Sequence, residues 1–172
     1  PIMRQLHELL WYLTAALALR PARSVHGELR LALEATENMT RSRADALLGL
    51  DIERHRSQVN ALLLRASELV RAGVPGQKVD HRGADLVGIR LNGADLSGAN
   101  LRGANLVAAD LSCANLKLAD LTGADLRDAD LRGTHLTESL FLTQSQLDAA
   151  TGDMATRLPP SLTRPAHWSP GH

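Results

Sequence analysis

From about residue 84 the chain repeats a five-residue pattern: leucine recurs at Leu86, Leu91, Leu96, Leu101, Leu106, Leu111, Leu116, Leu121, Leu126, Leu131 and Leu136, and Phe141 keeps the register. Two residues before each stands a small or apolar residue, from Ala84 and Ile89 through Ala129 to Thr134 and Ser139, and the residue between is mostly Asp or Asn. On an α-helix five residues turn through about 500°, so successive leucines would wrap around the helix instead of forming a face. In one continuous strand side chains alternate with period two, and an odd spacing puts consecutive leucines on opposite faces. What remains is a short extended piece that turns an Ala and the following Leu to one inner side, followed by a bend. Residues such as Gly88 and Gly93 supply the bend, where φ freedom is needed.

The period changes on both sides of this block. Residues 2–73 follow helical spacing. A first helix, about 2–19, carries Ile2, Leu6, Leu9, Leu10, Leu13, Ala16 and Leu17 on one face and ends before Pro21. A second runs about 24–38. A third, about 43–72, carries Leu47, Leu50, Val59, Leu62, Leu63, Ala66, Leu69 and Val70, allows a break near Gly49, and stops at Gly73 and Pro75. The polar run Glu53, Arg54, His55, Arg56 reads as a solvated face. The apolar faces exceed what one short hairpin needs, so they are expected either to pack on the first coil or to mate with a second copy. After Phe141, Thr143 and Gln146 have capping-box spacing, which predicts a short helix over about 144–150 that covers the last backbone edge. The tail from Arg157 through Pro159, Pro160 and Pro165 to Trp168 is too proline-rich for a helix or a central strand, and Trp168 is expected to pack it onto the body.

The A(D/N)LXX pattern over residues 84–141 resembles the pentapeptide repeat family. The resemblance implies a right-handed quadrilateral β-helix with four pentapeptides per turn, here about three coils roughly 14 Å tall. Its inner columns would be Leu86/Leu106/Leu126, Leu91/Leu111/Leu131, Leu96/Leu116/Leu136 and Leu101/Leu121/Phe141. The fold class is then α+β: a helical domain over 1–76, the β-solenoid over 77–142, and a capping helix with an extended tail over 143–172. Thr134, Ser139 and Phe141 depart from the consensus where a terminal coil meets a cap.

Composition narrows the functions. Aromatic residues make up 2% of the chain, so the core is aliphatic and the stacking platforms of a single-strand binder are missing. Charge sums to zero, with +3 over residues 1–78 (eleven basic, eight acidic) and −3 over 79–142 (six basic, nine acidic), well short of a nucleic-acid footprint. Cys113 is the only cysteine, which excludes an internal disulfide and suits a reducing, cytoplasmic setting. The apolar run Leu9–Leu19 is too short to span a bilayer, and integral membrane insertion is not expected. The seven histidines, His7, His26, His55, His81, His135, His167 and His172, form no ligand pair, and no nucleophile or phosphate-loop motif occurs. No catalytic residue, cofactor or metal is therefore expected.

These readings lead to a non-enzymatic protein-interaction or scaffold module that forms homo-oligomers through its helices. The candidate contact residues are Val87, Val107 and Ala108 on the solenoid and Leu9, Leu13 and Leu63 on the helices. Two alternatives come from other classes. Some pentapeptide repeat proteins mimic duplex DNA and regulate type II topoisomerases, which needs a longer and more acidic rod. The other is a membrane-surface protein anchored through Trp11 and Tyr12.

Overall fold

The computed structural model describes residues 1–43, 45, 46, 49 and 51–169, and the chain divides into two compact units, Pro1–Gly73 and Val74–His172. The first unit holds α1 (Ile2–Leu17), a 3-10 turn (Arg20–Val25), α2 (His26–Thr40) and α3 (Ile52–Arg71). α1 buries Leu6, Leu9, Leu13 and Ala16, a stripe at i, i+3, i+7 and i+10 that packs on α2 and α3. The second helix starts later than its pattern suggests because the residues around Pro21 wind as a tighter 3-10 turn. Of the third helix, Asp45 and Ala46 are helical and Gly49 stands in a turn, and its long part starts at Ile52, where the Asp51 carboxylate accepts the Arg54 amide at 2.9 Å and caps a fresh first turn. Leu47 and Leu50, assigned to that helix from spacing, lie outside the described residues, as does His172.

The polar run at the start of α3 is solvated except at one position. His55 is buried, and its Nε2 lies 2.8 Å from the Thr36 hydroxyl on α2. Thr36 Oγ1 donates its own proton to the Ala32 carbonyl at 2.7 Å, so the His55 Nε2–H must be the donor to Thr36. Burial holds the imidazole below its usual pKa of 6.5.

In the second unit parallel bridges join residues twenty apart: Asp80 to Asn100 to Asp120 to Leu140, Asp85 to Asn105 to Asp125, Arg90 to Asp110 to Asp130, and Asp95 to Asn115 to His135. Twenty residues are four pentapeptides, so each Asp/Asn position meets its own kind one turn later. Both its backbone groups point toward the preceding turn: Asn105 donates to the Ala84 carbonyl at 2.9 Å and accepts from the Leu86 amide at 2.8 Å. Among the described residues this ladder consists of single-residue bridges, with no longer strand. That is what a bend every five residues leaves room for.

The leucines converge on the axis. Leu101, Leu106, Leu111, Leu116, Leu121, Leu131 and Leu136 have no exposed surface, and each contributes roughly 1.5–3 kcal/mol relative to an exposed side chain. The second residue after each inner leucine from Leu101 to Leu131 turns left-handed. Glycine serves at Gly103 and Gly123, but Ala108, Cys113, Leu118 and Asp128 adopt the same φ of 57–58° without being glycine.

The C-terminal end departs from the expected columns. Phe141 is buried, yet it takes a φ of +60° and does not join the leucine core, which Leu142 and Leu147 enter instead. Thr143 and Gln146 form the expected capping box at the start of α4 (Gln144–Asp148), and the Gln146 amide also donates to the Leu121 and Ala124 carbonyls, both at 2.9 Å. Thr134 stands where Ala is usual because its hydroxyl donates to the Leu111 carbonyl at 2.8 Å.

Beyond α4 the chain continues the ladder at two points. Thr151 pairs with Asp130 and Arg157 with His135, at spacings of 21 and 22 residues instead of 20. Gly152 follows Thr151 where the repeat has leucine, and the Trp168 indole lies against it: a β-carbon there would come within 2.6 Å of Trp168 Cε3. Trp168 belongs to the leucine core, and its Nε1 donates to the Ala150 carbonyl at 2.9 Å.

Candidate interaction surfaces

The outward Asp and Asn side chains are the first place to look for chemistry, and their geometry makes them structural. At each of Asp80, Asp95, Asn100, Asp110, Asn115, Asp120, Asp125 and Asp130, Oδ1 accepts the amide two residues on, at 2.9–3.2 Å. This is the local turn that short polar side chains make, and it fixes the bend. Ser97, Ser112 and Thr122 add a hydroxyl donor to the same oxygen at 2.6 Å. The Ser97 hydroxyl and amide together hold the Asp95 carboxyl below the usual range. Arg127 and Arg132 clasp Asp125 and Asp130 through two nitrogens each and lower those carboxyls too. Asp120 is fully buried with Arg102 Nη1 at 2.9 Å. Oxygens engaged in this way are not a paired acid and base. Among the described residues no group of three His, Cys, Asp or Glu is placed to hold a metal ion.

The apolar candidates on the solenoid stand in one register. Val87 is 54% exposed, Val107 is half-buried one turn later, and Arg127 is the next residue of that column. Ala108 is exposed beside Val107 on a left-handed bend. The patch is therefore two valines and an alanine bordered by a clasped arginine.

The helical candidates are not surface. Leu9 is 5% exposed, Leu63 1% and Leu13 not at all, so the faces that seemed surplus are already used to fold the chain. Nor do Trp11 and Tyr12 make a membrane-facing pair: Trp11 is partly exposed, Tyr12 is buried, and the rings meet edge-to-face at 5.1 Å. Among the described residues no helix is long and apolar enough to cross a membrane.

The exposed apolar surface of the first unit lies elsewhere. An open groove of about 500 Å³ runs between α2 and α3, lined by Ala32, Ala35, Val59, Leu62 and, at its base, the buried His55. Leu31 stands at its edge and is 68% exposed, more than any other large hydrophobic side chain among the described residues. Glu28 and Arg65 bridge one end, at 3.1 Å. Sequence reasoning missed this feature. Leu31 looks like one more helical leucine, and only the packing of Leu29 inward, with no exposed surface, shows that Leu31 points away.

The comparisons with known proteins agree with the ladder. The family described as "Pentapeptide repeats" matches residues 80–112 and 99–138, with eight copies of the repeat. The uncharacterized protein YybG of Bacillus subtilis (strain 168) is 60% identical over 171 residues. That match takes in 98% of this chain, helices included, and the chain spans 61% of that protein's length. Two solved pentapeptide repeat proteins are also similar: alr5209 from Nostoc PCC 7120 and Rfr23 from Cyanothece 51142. The first is 30% identical, covering 56% of this chain and 84% of its own, with a TM-score of 0.36. The second is 32% identical, covering 46% and 56%, with a TM-score of 0.28. Through the pentapeptide repeats over residues 80–138, this chain belongs to the pentapeptide repeat family.

Proposed function

We propose that this protein is a non-enzymatic binding module in which a β-helix of about three coils, closed at its C-terminal end by α4 and Trp168, serves as a rigid support for contacts with other protein chains. One observation carries the reading: the repeat's polar groups are spent on its own bends and its leucines on its own core, so shape and surface are what it offers a partner. The homo-oligomer expected from the sequence belongs to this reading, with the contact moved from the buried α1 and α3 faces to exposed surface. A cytoplasmic setting is kept with it.

The duplex-mimic alternative is not carried forward, because Asp120, Asp125 and Asp130, on three successive sides of the coil, are each paired with an arginine and the solenoid loses the dense negative charge it would need. The test is affinity capture from a host lysate with the full chain, with Val87→Lys/Val107→Lys in parallel. Proteins held stoichiometrically by the wild type and lost by the double variant support a solenoid contact. No stoichiometric protein in either arm, or turnover of a small molecule by the purified chain, would count against the module.

A further inference from the structure

We infer that α2 is the self-association surface of this chain and that its occupant is the α2 of a second copy, packed antiparallel about a two-fold axis near Leu31 and Ala32. This rests on the self-association proposed above and names its surface. The most exposed large apolar side chain, Leu31, stands beside a groove floored by the small side chains of Ala32 and Ala35. A leucine knob next to an open apolar groove on one face is what an isologous contact requires, since each copy must supply both halves.

Charge selects the orientation. Arg30 and Glu34 flank Leu31, are exposed, and make no ion pair among the described residues. In a parallel pair related by a two-fold axis, the Arg30/Glu34 side of one helix meets the Ala32/Ala35 side of the other, where Glu28 already bridges Arg65, and gains no matched ion pair. An antiparallel one sets Arg30 of each copy beside Glu34 of the other, two opposite pairs for one Leu31 contact. Complementary charges across an interface fix its register. A different partner would have no reason to match a pattern that is complementary to itself. The Glu28–Arg65 bridge is about half-exposed and can stay in place at the groove's end.

The experiment is sedimentation equilibrium of the full chain across the micromolar range, with circular dichroism confirming the fold of every variant. Wild type should dimerise, and Leu31→Lys should weaken the dimer by about tenfold or more. Arg30→Glu or Glu34→Arg alone should each weaken it by about tenfold, since two attractive pairs become two repulsive ones. The double variant Arg30→Glu/Glu34→Arg should restore wild-type affinity, because the swapped pattern is again self-complementary. A wild type that stays monomeric at several hundred micromolar overturns the self-association reading itself. A dimer indifferent to Leu31→Lys and to the charge variants leaves self-association standing and overturns α2 as its surface. A Leu31-dependent dimer that the double variant fails to rescue overturns the antiparallel pairing. Should Leu31→Lys lose helical signal, Leu31→Gln replaces it.

Discussion

Replacing Gly152 with alanine should destabilise the second unit although it adds a single methyl group. The β-carbon would lie 2.6 Å from Trp168 Cε3 and 2.7 Å from Cδ2 and Cζ3, against the roughly 3.5–4.0 Å at which carbon atoms rest. The indole cannot simply retreat. It is 3% exposed and tied through Nε1 to the Ala150 carbonyl, which His167 also reaches at 2.8 Å. The backbone at Gly152 is outside the left-handed region, so the cost is steric and not conformational. Overpacking of this kind costs about 1–3 kcal/mol, with full ejection of a tryptophan, about 3–5 kcal/mol, as the ceiling. For a unit of this size that lowers Tm by about 5–15 °C. In a Trp11→Phe background Trp168 is the sole indole, and its emission should shift to longer wavelength. The cycle with Trp168→Ala is the decisive part. Once the ring is gone, alanine at 152 has nothing to strike, so the two losses should not add. Additive losses, or a Gly152→Ala protein with unchanged Tm and emission, would show that the indole does not fill the missing leucine position.

Three further outcomes follow from the same geometry. Leu111→Asp puts a carboxylate at a position with no exposed surface and should abolish cooperative unfolding by circular dichroism; a normal melt would mean that this column does not point inward. Gly123→Ala meets no atom within 4 Å but holds a φ of +65°, so it should cost about 1 kcal/mol in denaturant unfolding, and Ala108→Gly, at +57°, should recover up to about as much. The pKa of His55 is depressed in the folded state by burial, so the unfolded chain binds the proton first. The stability of the helical unit is then fully present above 6.5 and is lost as pH falls from there toward the lower folded value. Acidification from about pH 7.5 to about pH 5.5 should lower the Tm of wild type more than that of His55→Gln, which keeps a donor for Thr36; equal slopes would remove His55 as the cause.

The repeat was legible because a period of five contradicts both regular structures and a column of identical leucines needs no partner element to be recognised. The number of sides per turn was not in the spacing. It came from the family resemblance and appears in the structure as bridges twenty residues apart. Where the sequence was silent or misread, the determining contact was distant. Arg157 returns to the ladder because His135 is there to receive it, and Trp168 fills the place of a leucine sixteen residues earlier, which no window around Gly152 reveals. His55 is buried because α2 presents Thr36 to it. Leu9, Leu13 and Leu63 were rightly read as one apolar stripe per helix. Periodicity says that such a face is covered, but not whether another chain does the covering. The left-handed bends at Ala108, Cys113, Leu118 and Asp128 could be read only by counting from the glycines, since none of these residues except Asp favours that conformation.

Everything in this account rests on the twenty-residue turn, which a pair of cysteines measures directly. In a Cys113→Ser background, cysteines at Val87 and Val107 stand one rung apart in the same outward column. Parallel rungs about 4.8 Å apart fall within the span a disulfide bridges. Mild oxidation should link this pair nearly completely within the monomer, while cysteines at Val87 and Ser97, ten residues apart and on opposite sides of the coil, should stay free. Rapid linkage of 87 to 97 with none of 87 to 107 would contradict the β-helix.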